Sequence, residues 1–124
     1  MRQKICLVDD TPDLLLNLTE FLEMEGYEVW PCQGGTQALE RMAGEIPDLV
    51  ITDLWMPELD GLMLIGKFKK ETRLKDVPVI IFSARPLEDY EDQARDLGVY
   101  EFIKKPSPLE YILKVVNDYL PEKH

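Results

Sequence analysis

Four apolar runs in this 124-residue chain each end on charged or hydroxylated residues, with stretches of helical character between them. Ile5-Cys6-Leu7-Val8 runs into Asp9-Asp10, and Leu49-Val50-Ile51-Thr52 runs into Asp53. Val79-Ile80-Ile81-Phe82 runs into Ser83-Ala84, and Phe102-Ile103 leads to Lys104-Lys105-Pro106. Such alternation predicts an α/β fold, a parallel sheet covered on both faces. The near-continuous apolar character of Leu49-Val50-Ile51 and Val79-Ile80-Ile81-Phe82 suits central strands buried on both sides. A further run, Tyr27-Glu28-Val29-Trp30-Pro31, alternates and carries a proline, which places it at a sheet edge. Parallel strands share one carboxyl edge, and open α/β sheets bind their ligands there. Three carboxylates, a hydroxyl and an ammonium then meet in one crevice.

The intervening stretches have readable ends. Thr11 stands as an N-cap with Pro12 at the first helical position, and Leu14, Leu15, Leu18, Phe21 and Leu22 form an apolar stripe. Gly26 stops that helix. Further helices are expected over about Thr36–Ala43, from near Gly61 to before Pro78, over Leu87–Leu97, and over Pro108–Leu120. The fourth opens with Glu88, Asp89, Glu91 and Asp92, acids that complement the helix dipole. Residues 1–120 read as one domain and 121–124 as a polar tail or the start of a linker.

The net charge is −10, from 24 acidic and 14 basic residues. An excess of acid disfavours direct nucleic acid binding, because no surplus cations displace phosphate counterions; it reads first as solubility. The longest apolar stretches are too short to span a bilayer, and the N-terminus lacks an apolar signal segment, so a cytoplasmic location away from the membrane is expected. Cys6 and Cys32 stand alone, without a CxxC spacing, so zinc has no ligand set; Cys6 reads as a small buried hydrophobe, and no disulfide is expected. The only histidine is His124, the last residue, which leaves no histidine-based nucleophile system.

If Asp9, Asp10, Asp53 and Lys105 converge, their summed charge is one that a single divalent cation neutralises. Hard oxygen ligands without sulfur or imidazole select Mg²⁺, for which Mn²⁺ can substitute. Such an ion holds a phosphoryl oxygen beside a carboxylate and offsets the charge developed during transfer. A carboxylate can itself be the nucleophile and become an aspartyl phosphate. Lys105 and Ser83 are the right types to grip the remaining phosphoryl oxygens. Each residue also has a plain reading. Asp9-Asp10 can end a strand, Asp53 can be a loop acid, Asp60-Gly61 a turn, Ser83 a local backbone partner and Lys105 a solvated lysine. Singly these compete evenly with the functional readings; jointly they leave the shared location unexplained.

Over essentially its whole length the chain resembles the receiver domain of a two-component response regulator. The motifs are Leu7-Val8-Asp9-Asp10, Asp53-Leu54-Trp55-Met56-Pro57 with Asp60-Gly61, Ser83-Ala84, and Lys105-Pro106 preceded by Gly98 and Phe102. The resemblance implies a flavodoxin-like three-layer sandwich, a five-stranded parallel sheet of order 2-1-3-4-5 with five helices. It implies that Asp53 accepts a phosphoryl group from a sensor histidine kinase or a phosphotransfer protein. Asp9, Asp10, Asp53 and the Trp55 backbone carbonyl would hold Mg²⁺, with Asp9 nearby or acting through water. Lys105, Ser83 and the Ala84 amide would engage the phosphoryl group. The Lys105–Pro106 bond would be cis, aiming the lysine inward. Ser83 and Phe102 would form a switch that remodels the helix 4–strand 5–helix 5 face for partner binding, including homodimerisation. The chemistry would be confined to the protein's own phosphorylation and dephosphorylation, so the chain is not an enzyme in the ordinary sense.

Two residues mark this sequence within that family. Trp55 lies two positions past the acceptor and Arg85 two past Ser83, where the family tunes loss of the phosphoryl group. A large indole and a long guanidinium there would obstruct attack by water; the alternative is that both lie inert on the surface. Ser83 replaces the more frequent threonine but keeps the hydroxyl, and Thr11 stands where glutamate is frequent. Two rival functions are weaker. A haloacid-dehalogenase-like phosphatase needs a second acid two residues after its nucleophile, where this chain has Trp55. A non-phosphorylated pseudo-receiver would have lost some of the acids or the lysine, and all are here.

Overall fold

The computed structural model describes residues 2–121. Strands β1 (Lys4–Val8), β2 (Glu28–Cys32), β3 (Leu49–Thr52), β4 (Val79–Ser83) and β5 (Glu101–Lys104) form one parallel sheet of order β2-β1-β3-β4-β5. Helices α1 (Pro12–Met24), α2 (Gly35–Gly44), α3 (Gly61–Phe68), α4 (Glu91–Asp96) and α5 (Leu109–Tyr119) connect or follow the strands.

Side chains alternate across a strand, and here the alternation divides the core in two. Ile5 and Leu7 of β1, with Leu49, Ile51, Ile80 and Phe82, pack against Leu15, Leu18 and Leu22 of α1 and Ile112, Val115 and Val116 of α5. Cys6 and Val8, with Val50, Val79 and Ile81, face the opposite way toward Ala38 and Met42 of α2, Leu64, Ile65 and Phe68 of α3, and Ala94 of α4. The result is the three-layer sandwich expected. Both central strands are buried along their whole length, and β2 with Pro31 occupies an edge. Cys6 and Cys32 are free and buried; the hydrogen bond between them, together with burial, pushes the Cys6 thiol pKa up. Among the described residues no helix is long and apolar enough to cross a membrane.

Two local expectations need correction. Thr11 occupies the N-cap position of α1 and Pro12 follows it, but the threonine side chain makes no capping bond. Its backbone N–H instead donates to Asp9 Oδ1 at 2.9 Å, so the loop is organised around the acid. The helix expected over Leu87–Leu97 is broken into a 3₁₀ turn at Leu87–Asp89 and the six-residue α4. Tyr90 separates them at φ −144°, ψ −1°, outside the helical region. Glu88, Asp89, Glu91 and Asp92 crowd like charges at helical neighbour spacings, which weakens a continuous helix. Residues 122–124, most of the expected tail, and His124 with them, lie outside the described residues.

Candidate functional site

The register of the sheet assembles the site. Val8 pairs with Thr52, and Ser83 pairs with Lys104, so the residues that follow these positions leave the sheet at its carboxyl edge. The ladder continues for one step beyond the strands: Asp53 N–H donates to the Val8 carbonyl at 3.0 Å and Lys105 N–H to the Ser83 carbonyl at 2.9 Å. Asp9 N–H is held by the Cys32 carbonyl at 3.0 Å. Backbone hydrogen bonds thus place an acid, a second acid and a lysine, far apart in sequence, at one edge.

Their side chains converge. Lys105 Nζ lies 2.6 Å from Asp9 Oδ2 and 2.9 Å from Asp53 Oδ2, bridging two largely buried carboxylates. The other oxygen of each acid is also bound: Asp9 Oδ1 by Thr11 N–H and Asp53 Oδ1 by Leu54 N–H at 2.7 Å. Burial works against the Lys105 ammonium, but the bonds and charges of Asp9 and Asp53 outweigh it and raise its pKa above the ordinary lysine value. Asp10, less buried than the other two acids, completes a trio whose carboxylate oxygens lie within 4.8 Å of one another. All donors are hard oxygens, a set that fits Mg²⁺ or Mn²⁺.

A cavity of about 540 Å³ opens over this floor, lined by Asp10, Thr11, Asp53, Trp55, Ser83, Ala84, Arg85 and Lys105. Apart from Thr11, which reads from the sequence as a helix cap, every one of these is expected at the site. Ser83 Oγ accepts from Arg85 N–H at 3.1 Å, so the hydroxyl closes the turn after β4. The Trp55 side chain is 72% exposed, and the Arg85 guanidinium lies 5.7 Å from its ring centroid, a cation–π pair at the rim. Arg85 also faces Asp89 at 3.8 Å. The Lys105–Pro106 peptide bond is cis.

Phe102 is half-buried on β5, and its ring meets Tyr90 edge-on at a centroid distance of 5.8 Å and 64° between planes. Arg95 of α4 lies 5.6 Å from the Phe102 centroid and 5.4 Å from that of Tyr100, with Glu91 holding the guanidinium at 2.7 Å. Tyr90 belongs to no motif, yet its ring is buried; burial first and the Asp53 charge second raise its pKa above the ordinary phenol range. Its one trace in the sequence is the spacing Leu87, Tyr90, Ala94, Leu97, an apolar rhythm within an acid-rich stretch. Asp60 and Gly61 are likewise more than a turn. Asp60 caps α3 through Met63 N–H at 2.9 Å, and Gly61 N–H donates to the Leu54 carbonyl, docking the helix against the acceptor loop.

Comparison with known proteins agrees with this fold. The chain is 32% identical over 123 residues to Sporulation initiation phosphotransferase F of Bacillus subtilis, covering 99% of this chain and 98% of that one. It is 36% identical over 116 residues to Response regulator GtcR of Aneurinibacillus migulanus, where 93% of this chain matches only 47% of that protein. The crystal structure of response regulator protein TrrA from Thermotoga maritima in complex with Mg(2+)-BeF superposes with a TM-score of 0.82 at 29% identity, covering 94% and 98% of the two chains. The family model for the response regulator receiver domain matches residues 5–117. The chain therefore belongs to the response regulator receiver domains, the family of two-component signalling.

Proposed function

We propose that the chain is a phosphoryl-accepting switch in which Asp53 takes a phosphoryl group from a phosphohistidine of a sensor kinase or phosphotransfer protein. The observation that carries this reading is the suspension of Asp53, one oxygen on Leu54 N–H and the other on the Lys105 ammonium, at the floor of an open cavity beside two further acids. One Asp53 oxygen attacks phosphorus as the phosphorus–nitrogen bond of the donor, its ring protonated on the other nitrogen, breaks, leaving an aspartyl phosphate and a neutral imidazole. Asp9, Asp10, Asp53 and the Trp55 carbonyl would hold Mg²⁺, or Mn²⁺ in its place. Bound there, the cation offsets charge on the transferred oxygens. Lys105 is already in position and leaves a carboxylate for the incoming phosphoryl group, while Ser83 and the Ala84 amide take other oxygens.

Ser83 Oγ accepts from Arg85 N–H and keeps its own O–H to donate to a phosphoryl oxygen, so a shift of the hydroxyl toward that oxygen would pull on the turn leading to Tyr90 and α4. Tyr90 packs on Phe102, so the same shift frees the aromatic to turn inward and alters the α4–β5–α5 face. That face is where an output partner or a second copy would bind. Sedimentation of beryllofluoride-treated protein with unchanged mass would remove the homodimer. The unit that does this is residues 1–120, with 121–124 a polar tail or the start of a linker.

Incubation with acetyl phosphate and Mg²⁺, followed by intact-mass measurement of wild type and Asp53→Asn, tests the central reading. A phosphate adduct on wild type alone is expected. An adduct on both proteins, or on neither, overturns it.

A further inference from the structure

Beside the acceptor cavity runs a second, larger groove of about 620 Å³, between the β3–α3 loop and the segment from Leu87 into α4. Its lining includes apolar side chains, with Trp55, Met56 and Met63 from the β3–α3 side and Tyr90 from the other, among charged and polar ones. Trp55 and Met63 are 72% and 51% exposed, so two large apolar side chains face water here, while Met56 and Tyr90 are buried beneath them. Methionine fills irregular contacts with little strain, which suits a surface that receives another side chain. Glu58, Asp60 and Asp10 sit on the rim and make no ion pair among the described residues, whereas Asp89 is matched by Arg85. The groove therefore combines exposed apolar side chains with four acids and one cation, Arg85.

We infer that this groove seats a cationic amphipathic helix of a partner protein, its apolar face on Trp55, Met63 and Tyr90 and its lysines or arginines against Glu58 and Asp60. About 620 Å³ holds a few apolar side chains from one helix face, so the contact is a single helix rather than a domain. A second copy of the chain is disfavoured as occupant by its own net charge of −10, and nucleic acid is repelled by the same rim. The groove and the acceptor cavity share Asp10, Trp55 and Arg85, so a seated helix borders Asp53 directly. That the helix belongs to the protein delivering or removing the phosphoryl group rests on the function proposed above; the seat itself does not.

The test uses the full chain and two short synthetic amphipathic peptides of one apolar pattern, one with lysine and one with glutamate at the polar positions. Titration followed by heteronuclear NMR is expected to show binding of the lysine peptide only, with shifts at the Trp55 indole and the Met63 methyl. Met63→Glu is expected to weaken that binding by about tenfold although it adds attractive negative charge, and Met63→Gln to weaken it without a charge change. Leu16→Glu, the same charge change on exposed α1, is expected to leave binding intact or slightly tighter. If Met63→Glu binds as tightly as Leu16→Glu, or if the shifts avoid Trp55 and Met63, the attraction is diffuse and the inference is overturned. The acetyl phosphate adduct, measured on the same proteins, reports separately on the receiver chemistry.

Discussion

A β-carbon on Gly61 would stand 2.2 Å from the Asp53 carbonyl oxygen, so only glycine lets the first turn of α3 close against the acceptor loop. The clash is with backbone, which cannot rotate away as a side-chain end would. Gly61→Ala is expected to destabilise the fold by roughly 2 kcal/mol, read as a lower urea midpoint at an unchanged slope. Gly44→Ala, where a β-carbon meets nothing within 4 Å, is the control and is expected to change stability little.

The three clustered acids repel one another without a cation. Among the described residues Asp10 makes no ion pair like those of Asp9 and Asp53 with Lys105, so it contributes mainly repulsion. In metal-free buffer Asp10→Asn is expected to be more stable than wild type by about 1 kcal/mol. Mg²⁺ at a hundred times its Kd should add about 2.7 kcal/mol to wild type and markedly less to the variant. Thermal melts with and without Mg²⁺ decide it; equal Mg²⁺ shifts would remove Asp10 from the ligand set.

Tyr27 gives the fold an alkaline limit. Its hydroxyl donates to Asn117 Oδ1, and burial first, then the Glu25 charge, push its pKa up to about 12 from 10.0. The folded value lies above the unfolded one, so between them the unfolded chain holds fewer protons and stability falls with rising pH. The contribution is complete below pH 10 and is lost as pH rises through about 12. Tyr27→Phe is expected to be less stable than wild type by about 1 kcal/mol at pH 8, with the gap narrowing or reversing by pH 12. Urea midpoints across that range are the measurement, and a constant gap would contradict the assignment.

Trp55 and Arg85 stack on one another and line the cavity that holds Asp53, and under the function proposed above they would obstruct attack by water on the phosphoryl group. Replacing both by alanine is expected to speed loss of the phosphoryl group about tenfold, equivalent to ~1.4 kcal/mol of barrier. Decay of the phosphorylated species by intact mass, in wild type and Trp55→Ala/Arg85→Ala, gives the rates. Equal rates would show that the pair shields nothing.

Much of the site was legible in the sequence because it rides on strand ends. Asp9, Asp53 and Ser83 each follow an apolar run directly and Lys105 follows one a residue later, and parallel pairing leaves such residues no other edge to occupy. The helices were legible where an apolar stripe and a stop signal coincide, as from Pro12 to Gly26. The stretch after Ser83 was not, because its apolar spacing suggested one helix while its crowded acids and the burial of Tyr90 broke it in two. Nor did any motif mark Tyr90 against Phe102 or Gly61 against Asp53, since each contact depends on how one element is set down on another.

The sequence by itself determined the alternation of strands and helices, the edge at which the polar residues gather and the chemistry they can support, since these follow from periodicity and from residue type. Tertiary structure alone decided which oxygen Lys105 meets, that Ser83 is engaged by Arg85 N–H, and that Trp55, Met63 and Tyr90 line a groove with an acidic rim. Those outcomes turn on distances of a few ångströms between segments far apart along the chain. Such distances are set by packing of the two core layers, and no local pattern encodes them.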